Sequence, residues 1–240
     1  DLHSFPTRRS SDLEPVPSAR AAAPESLDSL IERFAHELIA YQDEAYAARF
    51  RLLVERVRMA ETILDAGPAR PLTETVARSL FKLMAYKDEY EVARLYADPA
   101  FKVKLAAQFG GEGKLKVLLA PPLLSRTDPA TGRPRKMSFG PWVFAAFKIL
   151  ARLKSLRGTR FDPFGWMADR RTERRLIEEY EATVDRLLRS LSPANVEAAT
   201  AIAALPMRIA GFGPIKTARI AEVKRSEEHT SELQSQNRIS

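Results

Sequence analysis

The chain contains no cysteine and only three histidines. Without cysteine, its own residues form no disulfide, no thiolate zinc site and no cysteine-ligated iron–sulfur cluster. Two of the histidines, His3 and His229, lie near the ends, which leaves His36 alone in the body of the sequence. One histidine excludes a multi-histidine metal site and disfavours a Ser-His-Asp triad. His36 falls beside an apolar stripe and reads as a packed or half-exposed residue, not a catalytic one. No apolar run approaches the ~18–20 residues of a transmembrane helix. No secretory signal pattern is visible, which makes the cytoplasm the expected location and a membrane an unexpected partner. There is no phosphate-binding loop and no GxGxxG fingerprint, and nothing repeats at solenoid spacing. Gly110-Gly111-Glu112-Gly113 lacks the strand-before, helix-after setting of a phosphate cradle and reads as a loop.

What is present is an ordinary globular composition, 45% hydrophobic, with a net charge of +7. The ends differ from the rest. His3–Leu13, HSFPTRRSSDL, and Arg225–Gln236, RSEEHTSELQSQ, resemble a pair of translated sequencing adapters. Residues 1–13 and 225–240 are therefore expected to be artefactual and unpacked, being polar and without periodicity. Residues 14–25, rich in Pro, Ala and Ser, read as a linker, and 26–224 as one helical domain of roughly 210 residues with that linker.

Hydrophobic periodicity predicts a mainly α fold: an irregular bundle of about six to eight helices, one long N-terminal helix, and at most a small β element. Ser26 is a candidate N-cap, with Asp28 in the first turn. From there to Ala66 the apolar stripe of Leu30, Phe34, Leu38, Phe50, Leu53, Val57 and Leu64 predicts one long helix, or two nearly collinear ones, stopped by Gly67-Pro68. Asp98-Pro99 starts a helix to about Phe109. Lys114–Ala120 reads as a strand, and proline-rich Pro121–Ser138 as a loop. A largely buried helix is expected over Pro141–Leu156, carrying Trp142, Phe144, Ile149 and Leu153. Asp162-Pro163-Phe164-Gly165 is a turn. Asp169 is expected to cap a helix to about Ser190, and Ser192-Pro193 to open one to about Leu205. A break at Gly211–Pro214 separates a short last segment.

The most distinctive stretch is Leu72–Tyr96. Val76, Leu80, Leu83 and Met84 share one helix face. The helix then breaks into Lys87-Asp88-Glu89 and resumes with Tyr90, Val92, Ala93 and Leu95. Lys87 and Arg94 could meet an anion, such as a carboxylate or a coenzyme A phosphate, or the whole could face a neighbouring body. Equally, Asp88 and Glu89 could pair internally and satisfy backbone groups at a helix junction.

Lys87–Leu95, together with APPLL (Ala120–Leu124), FGPW (Phe139–Trp142) and LRGTRFDPFG (Leu156–Gly165), resembles the C-terminal helical region of indolepyruvate ferredoxin oxidoreductase, over about Ser26 to Val223. That family belongs to the fused 2-oxoacid:ferredoxin oxidoreductases. The resemblance implies a parent enzyme that oxidatively decarboxylates aryl pyruvates to acyl-CoA. Its cofactors are thiamine diphosphate with Mg and iron–sulfur clusters, and coenzyme A is its co-substrate. None of the corresponding motifs lies in this chain. The expected role is a structural and interface domain without catalytic residues or cofactors of its own. Its expected partners are the catalytic domains of the parent and an acidic ferredoxin, within a homo-oligomeric full enzyme.

Charge is unevenly spread. Arg126–Arg175 holds thirteen Lys/Arg against four Asp/Glu, a surplus of nine. That suits steering of an acidic partner. Coenzyme A phosphates, nucleic acid and a merely solvated surface are alternatives. Nucleic acid is disfavoured by the absence of any stacking platform or known binding motif. The free-standing alternative is a basic module that binds an acidic protein or nucleic acid. The candidate interface or anion-binding residues are Lys87, Asp88, Glu89, Arg94, Arg157, Arg160, Asp162 and Lys216. Lys216 follows the glycine turn and could bind an anion or be plain surface.

Overall fold

The computed structural model describes residues 25–64, 69–101, 103, 107, 116–119, 135–211 and 216–226. The expected linker and terminal segments, the Gly67-Pro68 stop, the Gly110–Gly113 loop and APPLL lie outside or largely outside these residues. The fold is mainly α, with one two-stranded antiparallel sheet.

Of the two forms expected for the N-terminal helical stretch, the structure has the second, two helices, α1 (Leu27–Tyr41) and α2 (Glu44–Ile63). They are not collinear. Arg58 reaches Asp28 at 2.7 Å and Arg51 reaches Glu32 at 3.0 Å, so the two run antiparallel, side by side. The break is made by Asp43, whose carboxylate accepts from the Tyr46 amide at 2.8 Å and caps α2. Ser26 caps α1 as expected. Turning the chain back puts both apolar stripes against each other, with Phe34 edge-on to Phe50.

Helix α3 (Pro71–Met84) packs into that pair. Its apolar face, Val76, Leu80, Leu83 and Met84, is buried as the periodicity predicts. Its start is held from outside. Glu61, fully buried in α2, accepts from the Leu72 and Thr73 amides at 3.0 and 2.9 Å and from the Thr73 hydroxyl at 2.6 Å. A carboxylate at a helix N-terminus satisfies orphan amides and favours the positive dipole end. Arg70 enters this helix at φ 39 and makes no side-chain cap, so the cap comes from a different helix.

Next come α4 (Glu89–Ala97), β1 (Val117–Leu119), β2 (Met137–Phe139) and α5 (Val143–Arg152), which a 3-10 turn extends to Leu156. The strand expected over Lys114–Ala120 is β1. Its partner β2 occupies the end of the stretch expected to be loop, with Leu118 opposite Ser138. Helix α6 (Ala168–Arg189) follows, then α7 (Val196–Ala203), a 3-10 turn at Leu205–Arg208, and a helical stretch α8 over 216–226. Two capping expectations fail. Asp169 sits inside the first turn of α6, which has no side-chain cap. Ser192-Pro193 does not open α7: Asn195 accepts from the Ser192 amide at 2.8 Å, a local turn that delays the helix to Val196. Helix α8 also runs two residues past the expected boundary at Lys224, and the Ser226 hydroxyl donates to the Glu222 carbonyl.

The buried side chains form two cores. The larger is built from α1, α2, α3, α6 and α7, closed by Ile209 and Val223. The smaller joins Ala93 of α4, Val117 of β1 and Val143, Phe144 and Phe147 of α5. Each large side chain withdrawn from water adds about 1.5–3 kcal/mol. The expectation that α5 is largely buried holds on that one side only. Trp142, Ile149 and Leu153 on its other side are 64%, 63% and 43% exposed.

A candidate interface site: the charged junction between two cores

The two stretches that the sequence singles out, Lys87–Leu95 and Leu156–Gly165, meet in space where the two cores join. Asp88 is the N-cap of α4, with its Oδ1 accepting from the Glu91 amide at 2.8 Å. The same carboxylate takes both sides of the Arg157 guanidinium, Nε at 2.5 Å and Nη2 at 2.9 Å. The third side of Arg157, Nη1, donates to the Tyr41 carbonyl at 2.5 Å. Its charge lies 3.7 Å from the centre of the Tyr41 ring and 5.4 Å from that of Tyr90. Both charged side chains are 3% exposed.

Asp162 forms the second half of the junction. Its Oδ2 accepts from the Gly158 amide at 2.8 Å. Its Oδ1 accepts from the Tyr90 hydroxyl at 3.1 Å and the Phe164 amide at 3.0 Å. Gly158 turns there with φ +74, a conformation glycine adopts without strain. Around the outside, Arg170 of α6 holds Glu89 at 3.2 and 3.1 Å and reaches the Lys87 carbonyl at 3.4 Å. Lys154 donates to the Ile39 and Ala40 carbonyls at 2.9 and 2.7 Å. With Arg157 on Tyr41, these two cations cover the last carbonyls of α1, the negative end of its dipole.

The electrostatics follow from burial. Desolvation opposes the charge on Arg157. The Asp88 hydrogen bonds, with the fields of Tyr41 and Asp88, more than offset it and raise its pKa. Tyr41 is pushed up by burial first and by Asp88 second, so its hydroxyl stays neutral and donates to the Tyr86 carbonyl at 2.9 Å. Tyr90 is pushed up by burial and by Asp162. Lys154 is lowered by burial and by Arg157. A buried arginine–carboxylate pair is favoured by the planar two-point fit and by satisfying the remaining donors.

The eight candidate residues therefore divide. Asp88, Arg157 and Asp162 are buried within the junction, and Glu89 pairs with Arg170 beside it. Arg94 is held by Glu91 at 2.8 Å twice, with Glu37 at 4.0 Å. Lys216 is held by Glu173 at 2.5 and 2.7 Å. Lys87 and Arg160 are exposed, and neither pairs with a carboxylate among the described residues. His36 is exposed on α1. Sequence reasoning missed Tyr41, whose tyrosine among apolar neighbours gave no signal. It also missed the separate assignments of Lys154 and Arg170, which looked like two more cations in a basic run. Arg133 and Arg126 of that run lie outside the described residues. Arg135, Lys136, Lys148, Arg152, Arg160 and Arg171 are exposed without a carboxylate partner among the described residues.

Among the described residues, no three His, Asp or Glu side chains converge as a metal would require. An apolar cavity of about 40 Å³ lies between Leu83, Tyr180, Ile202 and Ile220, too small for a metabolite. No described helix is long and apolar enough to cross a membrane. Residues 27–229 match a family described as a family of unknown function, DUF6537. No curated protein and no solved structure matches the chain.

Proposed function

The chain belongs to the DUF6537 family, and we propose that it is the structural and interface domain of a thiamine-diphosphate-dependent indolepyruvate, or aryl pyruvate, ferredoxin oxidoreductase. The observation that carries this reading is the junction. The two stretches that resemble that enzyme's helical region, Lys87–Leu95 and Leu156–Gly165, come together, and four of their charged residues, Asp88, Glu89, Arg157 and Asp162, are spent joining two cores. Residues used in this way position surfaces and transform nothing. In that enzyme class thiamine diphosphate, held by the catalytic domains, would supply the electron sink for decarboxylation. Cysteine ligands for iron–sulfur clusters would come from the catalytic body, since this chain has none. The domain's own work is to hold its outer helices at a fixed angle against that body, in a cytoplasmic, homo-oligomeric enzyme.

The test is reconstitution. The catalytic body is prepared with and without this chain, and indolepyruvate- and coenzyme-A-dependent reduction of ferredoxin is followed. The reading expects no turnover from the chain alone, stable co-elution with the body, and higher activity or stability of the joined form. Turnover by the chain alone, or failure to associate, overturns it.

A second reading is a free-standing basic binding module. It is favoured by the exposed cations Arg135, Lys136, Lys148, Arg152 and Arg160, which have no carboxylate partner among the described residues. Retention on heparin or DNA that falls steeply with salt would support it over the first.

A further inference from the structure

We propose that the outward face of α5 is a docking surface for an acidic amphipathic helix of a partner protein; the proposal rests on the reading of this chain as an interface domain and adds the partner's chemistry.

Helix α5 is apolar on two sides, and the described residues pack on only one. Val143, Phe144 and Phe147 face the smaller core and are buried. Trp142, Ala145, Ala146, Ile149 and Leu153 follow the i, i+3, i+4, i+7, i+11 spacing of a single helical stripe, and all are exposed. A lone exposed leucine means nothing, but an aligned apolar stripe marks a contact surface. The Trp142 ring packs edge-to-face with Phe139, their centroids 5.8 Å apart.

Charge names the partner. Lys148 and Arg152 lie one turn apart along the flank of the stripe, both exposed and without a carboxylate among the described residues. Residues 135–161 contain no Asp or Glu at all. Whatever covers this face must supply both apolar side chains and carboxylates. The shape favours a helix. Ala145 and Ala146 leave a notch between bulky Trp142 and Ile149, where the ridge of a second helix can settle. A nucleic-acid face would carry several stacking rings, whereas this one carries a single indole. The other exposed stripe, Leu52, Met59 and Ile63 on α2, is interrupted by Arg56, which is tied to Asp185 of α6.

The experiment uses the whole chain carrying Trp166→Phe, so that Trp142 is the one reporting fluorophore. The probe is a synthetic amphipathic helix with leucines at i, i+3, i+4 and i+7 flanked by glutamates. Controls are the same peptide with lysines for glutamates, phosphatidylserine vesicles and a DNA duplex. The acidic helix is expected to bind saturably. Ile149→Ser and the double variant Lys148→Glu/Arg152→Glu each raise its Kd about tenfold or more, with unchanged circular dichroism since all three side chains are exposed. The proposal falls if the acidic helix does not bind, or if neither variant weakens it. It also falls if vesicles or duplex bind more tightly through the same residues, or if sedimentation shows self-association lost in Ile149→Ser. The catalytic body takes no part here, so this failure and a failed reconstitution are separate results.

Discussion

Asp88 and Arg157, 69 residues apart, form a two-point ion pair with contacts of 2.5 and 2.9 Å inside the protein. Asp88 caps the helix of one core, and Arg157 covers the end of a helix of the other. The pair is therefore a mechanical joint as well as an electrostatic one.

Removing one partner strands the other charge in a dry site. Asp88→Asn and Arg157→Met are each expected to destabilise by about 3–5 kcal/mol in urea unfolding. Arg157→Lys should recover little, because an ammonium cannot span both carboxylate oxygens and the Tyr41 carbonyl. The double replacement should cost less than the two singles summed, which a double-mutant cycle measures.

Glu61 provides the only side-chain acceptors that the described residues offer to the first amides of α3. Glu61→Gln places an amide group against donors and is expected to lower stability by about 1.5–3 kcal/mol. Denaturant midpoints would show it, and hydrogen exchange should quicken first at Leu72 and Thr73.

Gly165 lies against Asp162. A Cβ added at Gly165 would sit 2.8 Å from Asp162 Oδ2 and 3.0 Å from its Cγ. Gly165→Ala is expected to push the carboxylate off the Gly158 amide and the Tyr90 hydroxyl, costing about 1–3 kcal/mol. A calorimetric Tm equal to that of the parent would show that Asp162 can yield.

Five tyrosines, 41, 46, 86, 90 and 180, have pKa values raised above 10.0, in each case chiefly by burial. Unfolded tyrosines lose their protons near pH 10 while the folded ones keep theirs. Above that pH the unfolded state binds fewer protons, so stability falls as pH rises. Each group contributes up to about 1.4 kcal/mol per pH unit. Arg157 adds nothing to this slope: its pKa is raised, so its contribution stays intact until an unfolded arginine would lose its proton, well above this range. Urea midpoints from pH 8 to 11, with tyrosinate absorbance, would follow the loss.

Arg70 adopts φ 39, where a side chain is strained. Arg70→Gly is expected to raise stability by about 0.5–1 kcal/mol, and Arg70→Val to lower it. Thermal unfolding of the pair gives the sign.

The helical content was legible because burial follows periodicity: Val76, Leu80, Leu83 and Met84 lie where a helix of period 3.6 puts them. The turn at Gln42-Asp43 was not, because no glycine or proline marks it and the stop is a carboxylate cap. Helix α5 misled in the opposite way. Bulk on more than one side suggests a largely buried helix, whereas Val143, Phe144 and Phe147 are buried, Leu150 and Ala151 only partly so, and Trp142, Ile149 and Leu153 are exposed. At the junction, the internal use of Asp88 and Glu89 was among the readings the sequence allowed. Their partners, Arg157 and Arg170, were hidden because pairing over 69 and 81 residues leaves no local pattern.

The last carbonyls of α1 are covered by Lys154 and Arg157, which follow them by 114 to 116 residues. During synthesis α1 and α2 can close on each other as soon as both have left the ribosome. The final turn of α1 must wait until more than a hundred further residues have been made and folded back. Closing so long a loop is entropically slow. The end of α1 should thus mature last, and a nascent chain stalled before Lys154 should fray there while its first hairpin is already formed.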